Sequence, residues 1–231
     1  AVGAVACLAL AGRLIAAQGV RRVAAVSGLS MCALLALLLQ GQGLAWLLPL
    51  MVAQGAAIGL FDVAINTEGT ALESLSGRTV MSNLHAMFSV GAMAGAATTG
   101  ALLRAGVDPR VQLATIGIAT AVIVMLAARW MLDAHPAPAG DEPQQHFAWP
   151  RGMLLVIGLM ILAGMSAEGV MYDWCVLYLK QELHLGQDVA AMGYAAFTGS
   201  MALARFGGDA LRVRYSERNL LRASAGLAAV A

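Results

Sequence analysis

The sequence predicts an all-α integral membrane protein, and two observations carry that reading. Of its 231 residues, 60% are hydrophobic and only 12% are charged, against about 25% charged in a soluble domain. Mean hydropathy is +0.76, and the apolar residues fall into runs near the roughly 20 residues that a spanning helix requires. A disordered chain would need low hydrophobicity and high charge. A soluble core would not absorb this much apolar surface. The net charge of +1 gives no bulk field that points to nucleic acid. Cys7, Cys32 and Cys175 lie in separate apolar stretches. They read as small packing residues, with neither a disulfide framework nor metal-ligand spacing.

Taken in order, Ala1–Leu10 reads as the tail of a helix, too short to span. Val23–Leu39 is a span, and Leu44–Thr67 is a span interrupted by Asp62 and Asn66. Leu84–Leu103 is rich in Gly and Ala, and Val111–Leu132 is a further span. Met153–Leu179 would reach about 40 Å at 1.5 Å per residue. Val189–Leu211 is the seventh segment, and an eighth starts near Leu220. Both ends read as cuts within membrane helices, so the chain is expected to be a fragment.

Two connections are long. Residues 69–83 hold Glu73 and Arg78, and residues 133–150 hold Pro136, Pro138, Pro143 and Pro150 with Asp133, Asp141 and Glu142. The second divides the chain into an N-terminal helix bundle (1–132), a Pro-rich linker (133–150) and the start of a second bundle (151–231). Alternating the connections between two sides puts 11 basic residues on one side and only Arg104, Arg110 and Lys180, 3 in all, on the other. The excess of Lys and Arg marks the cytoplasmic side, which places the linker there. Trp46, Trp130, Trp149 and Trp174 fall at or near span ends, where amphipathic rings sit best. His135, His146 and His184 fall in loops and carry no functional expectation. A thin internal repeat relates Gly12-Arg13-Leu14, Gly19 and Arg21-Arg22 to Asp209-Ala210-Leu211, Ser216 and Arg218. Halves built as repeats are common in secondary transporters.

The stretch Gly12-Arg13-Leu14-Ile15-Ala16-Ala17-Gln18-Gly19-Val20-Arg21-Arg22 resembles the signature loop between helices 2 and 3 of the major facilitator superfamily. Gly59-Leu60-Phe61-Asp62-Val63-Ala64-Ile65-Asn66, Ser82-Asn83-Leu84-His85-Ala86-Met87-Phe88-Ser89-Val90-Gly91-Ala92 and Arg205-Phe206-Gly207-Gly208-Asp209 resemble, in turn, the end of helix 4, the entrance of helix 5 and the exit of helix 8 in its branch of fucose-permease-type sugar permeases. The resemblance covers nearly the whole chain, from late helix 2 to early helix 9 of a twelve-helix fold. It implies an incomplete facilitator-type helical bundle in a bacterial inner membrane. The chain departs from the signature at Ala16, where the loop carries an acidic residue that braces the neighbouring half. It also lacks the basic residue inside helix 4 that many proton antiporters carry, which disfavours drug–proton exchange.

Ionisable groups inside a bilayer are costly and usually face a cavity, so each one is a candidate. Glu168 lies about 25 Å along its helix from Arg151, beside Gly164, Ser166 and Gly169. Tyr172, four residues on, shares its face. Glu168 is expected to bind solute hydroxyls or carry a coupling proton, the plainer alternative being a structural hydrogen bond to a neighbouring helix. Asp173 is turned roughly 140° from Glu168 and belongs nearer the outer mouth. Asp62 and Asn66 share a face, as cavity liners or as a polar clasp between helices. His85 opens its helix and could join a proton path or pin the helix end. Gly12, Gly19, Arg21, Arg22, Arg205 and Asp209 are expected at a cytoplasmic gate; for Arg205 and Asp209, spaced i,i+4, the alternative is a surface ion pair. Gly55/Gly59 and Gly91/Gly95 are small-residue pairs that favour close helix packing.

The leading expectation is a monomeric secondary transporter that moves a small polar solute, sugar-like or an organic acid, by alternating access, with proton coupling and no metal or other cofactor. The alternatives are a non-transporting scaffold or sensor and a proton-coupled exporter. An enzyme is disfavoured. Gly164-Met165-Ser166-Ala167-Glu168 fails the nucleophile pattern at its last position, and neither His-Glu-x-x-His nor a phosphate loop occurs.

Overall fold

The computed structural model describes residues 2–132 and 150–230, and within them the chain folds entirely into helices and turns. The elements are α1 (Val2–Gln18), α2 (Val20–Leu37), α3 (Leu44–Ser76), α4 (Met81–Arg104), α5 (Pro109–Ala128), α6 (Met153–Gln181), α7 (Gln187–Arg214) and α8 (Glu217–Val230). The all-α class stands. The Pro-rich connection with Trp149, His135 and His146 lies outside the described residues, Pro150 apart.

Two boundaries differ most from the hydropathy reading, by eight or more residues, and the others shift by four or fewer. The helix expected to end at Leu10 runs to Gln18. Residues 11–18 are mostly Ala, Leu, Arg and Gln, good helix formers, and only Gly19, at φ 81°, breaks the helix. The signature stretch is therefore two helices meeting at one glycine. The helix expected to end at Thr67 runs to Ser76, because polarity alone does not stop a helix. It ends where Gly77 adopts φ 64° and its N–H bonds Glu73 O at 2.9 Å, a left-handed C-terminal cap. The Glu73 carboxylate then accepts from the N–H groups of Val80 and Met81 at 2.8 and 3.0 Å. That satisfies donors that the next helix leaves open. At the start of α5, the Asp108 side chain accepts from Arg110 N at 2.7 Å with Pro109 in the first turn, the favoured N-terminal pairing.

Among the described residues four helices, α2, α3, α5 and α6, are long and apolar enough to cross a membrane. The helices α4 and α7, with 24 and 28 residues, match that length but carry more polar side chains, and the paired polar groups described below sit on them. α6 has no buried residue, and Leu154, Ile157, Ile161 and Met165 are all exposed on it, as lipid-facing side chains are.

The chain divides into two compact units, Ala1–Met81 with Ala97–Gly140, and Ser82–Ala96 with Asp141–Ala231. In the first, α2 packs on α3 and α5, and α1 packs on α3. Val20, Val23, Ala24 and Ala64 form its core, flanked by Leu14, Ile15, Phe61 and Met131. Small residues set these approaches. A Cβ on Gly28 would stand 2.9 Å from atoms of Phe61 and Val124, and one on Gly117 would stand 2.9 Å from Cys32 O. Gly55 and Gly59 lie against Gly3 and Ala4 of α1, whereas Gly91 and Gly95 meet no described atom within 4 Å. In the second unit α6 packs on α7, and α7 touches α8.

Candidate functional site

The richest polar cluster lies in the second unit and begins with a stripe along α7. Thr198, Ala202 and Asp209 are buried, and Met201 and Arg205 fall on the same face at helical spacing. Arg205 Nη2 donates to both carboxylate oxygens of Glu168 on α6, at 3.0 and 3.1 Å. Its Nη1 donates to Ser89 Oγ at 2.7 Å and to the His85 carbonyl at 3.4 Å, both on α4. Ser89 is 1% exposed. The Arg205 and Glu168 side chains keep 23% and 26% of their surface, so the pair is mostly buried and partly accessible.

Beside the pair stands an aromatic wall. Tyr172, one turn beyond Glu168, is within electrostatic reach of Glu168, Arg205 and Tyr194. Its ring lies 5.7 Å from Phe197, edge to face, and 6.0 Å from Tyr194. Its hydroxyl meets Met201 Sδ at 3.5 Å. Glu168 and Tyr172 therefore share a face, as their spacing implies.

One turn further along α7, Asp209 Oδ2 accepts from Asn83 N at 3.1 Å and from Asn83 Nδ2 at 2.8 Å. A carboxylate here satisfies an open donor at the positive end of α4. Gly208 makes room, since a Cβ there would be 3.0 Å from Ser82 Oγ. Arg212 stands 3.7 Å from Asp209 and 3.7 Å from Glu217 at the α7–α8 corner. The surface ion pair that was the alternative for Arg205 and Asp209 does not form. They share a helix face, but Arg205 pairs with Glu168 and Asp209 holds the start of α4.

The other expected residues are spread out. Asp173 is exposed and is not a partner of Arg205. His85 contributes its carbonyl, while its side chain is exposed. In the first unit Asn66 Nδ2 donates to Asp62 O at 2.9 Å and to Asp62 Oδ1 at 3.1 Å, so the two side chains meet each other. Gly12 is exposed within α1, Gly19 forms the α1–α2 break, and Arg22 is exposed. Arg21 Nη2 donates to Met131 O just beyond the end of α5. Beside it, buried Glu68 accepts from Leu132 N at 2.7 Å. A cavity of about 430 Å³ between α1, α2 and α3 is lined by apolar side chains with Gln18, Ser27 and Ser30, and by none of the expected site residues.

Sequence reasoning missed Glu68, Ser89, Tyr194 and Phe197. Glu68 falls between the span read to Thr67 and the connection read from 69, so the continuation of α3 to Ser76 was needed to place it on a helix. Ser89 carried a signal, because it shares the His85 face. Among the described residues no three His, Cys, Asp or Glu side chains come together to hold a metal.

Comparison with known proteins gives the family. The family model described as Major Facilitator Superfamily matches residues 1–231. An uncharacterized MFS-type transporter of Yersinia pestis is 34% identical over 90% of this chain and 53% of its own length. An uncharacterized transporter of Sinorhizobium fredii is 31% identical over 99% of the chain and 60% of its own length. The membrane protein MosC of Rhizobium meliloti is 28% identical over 99% and 55%. The chain therefore spans between half and two thirds of the length of these relatives. No solved structure matches it.

Proposed function

Because the chain belongs to the major facilitator superfamily, we propose that the protein of which it forms part is a secondary transporter for a small polar solute, sugar-like or an organic acid, working by alternating access. The observation that carries this reading is the Arg205–Glu168 pair on Ser89, charged groups among helices whose outer surfaces are apolar. A charge at membrane depth costs roughly 2.5–3.5 kcal/mol on insertion scales, and such groups mark solute and ion pathways. Glu168 is the proton carrier in this reading, Tyr172 and Ser89 line the path, and Asp209 with Asn83 holds the cytoplasmic end. The protein sits in a bacterial inner membrane with 133–150 in the cytoplasm, and its substrate range follows the sugar-permease-type branch.

The test is uptake by the full-length protein in proteoliposomes with an internal pH dye. A solute gradient should acidify the lumen saturably, and Glu168→Gln should abolish the acidification. Saturable uptake with no pH change in either form would remove Glu168 from the proton path. Absence of saturable flux would remove transport.

A further inference from the structure

We infer that Arg205 is the anchor for an acidic group on the solute, and that Glu168 occupies that anchor when no solute is bound. The inference rests on the transporter reading above and adds the class of solute: a small, hydroxylated carboxylate rather than a neutral sugar. The guanidinium is held from two directions. Its Nη1 end is fixed by Ser89 Oγ and the His85 carbonyl on α4, and only its Nη2 end is given to Glu168. Removing Glu168 would leave the cation in place, still oriented by two acceptors, with its Nη2 end released. That is a preorganised site for a planar carboxylate, and guanidinium is the side chain best matched to one.

Charge decides between solute classes. Ser89 and a carbonyl are neutral, so the Arg205 cation depends on one carboxylate. Asp209, one turn away, is engaged by Asn83, and Asp173 is exposed elsewhere on α6. A neutral polyol offers hydroxyls to Nη2 but no charge, so displacing Glu168 would strand a cation at membrane depth. An incoming carboxylate replaces like with like.

The exchange balances. A proton binds Glu168, which becomes neutral and releases Nη2; the solute carboxylate takes Nη2. One proton and one monocarboxylate cross together with no net charge, and on release Glu168 loses its proton and returns to Arg205. The groups that face Glu168 are Tyr172 on its own helix and Arg205 on α7, through Tyr172 the Tyr194 ring of α7, and through Arg205 the Ser89 hydroxyl and His85 carbonyl of α4. The rings of Tyr172, Tyr194 and Phe197, packed at an angle to one another, supply an apolar wall for the solute body.

The experiment compares matched probes in proteoliposomes of the full-length protein: gluconate against sorbitol, and glucuronate against glucose. Uptake driven by an imposed pH gradient and equilibrium counterflow are both measured. The carboxylates should move, insensitive to membrane potential. Glu168→Gln should abolish pH-driven accumulation, keep counterflow, tighten carboxylate binding at least tenfold and remove its pH dependence. Arg205→Lys, which keeps the charge but not the fork, should weaken carboxylate binding at least tenfold while the melting temperature stays near that of the wild type. Movement of sorbitol or glucose without the carboxylates would overturn the inference and leave the transporter reading intact. Carboxylate movement with binding unchanged in Glu168→Gln would overturn the exchange. If no probe moves through protein that melts cooperatively, both readings fall.

Discussion

At the scale of single residues, Glu168 and Arg205 are worth more together than either is alone. Removing one partner of a buried pair leaves an uncompensated charge, whereas removing both can be nearly neutral. Arg205→Ala with Glu168→Ala should therefore melt above Glu168→Ala by itself. The single change should cost roughly 2–3 kcal/mol, the low end of the membrane scale because about a quarter of each side chain is exposed. Thermal unfolding of the full-length protein in detergent reads both. Asp209 acts differently, as a helix cap supplied from another helix. Asp209→Ala should cost about 1–2 kcal/mol and speed hydrogen exchange at the Asn83 amide. An unchanged Asn83 amide would deny the cap its role.

At the scale of elements, helix ends and helix contacts are set by few groups. Glu73 closes the α3–α4 turn by accepting from Val80 and Met81, and its loss to Ala should cost about 1 kcal/mol, read in the same melts. The α2–α5 contact depends on Gly117, where an added Cβ would stand 2.9 Å from the Cys32 carbonyl. Backbone cannot move aside as a side chain tip can. Gly117→Val should destabilise by about 1–3 kcal/mol through overpacking, while Gly91→Val, with open space around it, should melt close to wild type. Equal effects at the two positions would argue against the packing account.

At the scale of the whole molecule, orientation is a statement about charge. The asymmetry of 11 basic residues against 3 predicts which side is cytoplasmic under the positive-inside rule. A cysteine-free background, made by replacing Cys7, Cys32 and Cys175, allows single reporters to be placed. Gly140→Cys should react with an impermeant thiol reagent only in inside-out vesicles, and Gly106→Cys only in right-side-out cells. The reverse pattern would invert the topology and exchange the two mouths of the site.

Composition and periodicity determine much of this protein. The apolar runs make it a membrane protein of helices, since in lipid the backbone must bond within each segment. Spacing placed Glu168 with Tyr172, and Arg205 with Asp209, on shared faces. Hydropathy misjudged the ends of α1 and α3, because a helix stops where a residue such as Gly19 or Gly77 leaves helical dihedrals and not where polarity begins. Tertiary structure alone decided the partners. Glu168 and Arg205 are 37 residues apart, Ser89 and Arg205 are 116 apart, and Asn83 and Asp209 are 126 apart. Helical period gives the face on which a residue lies but not the helix packed against that face, and packing is what turned separate polar side chains into one site.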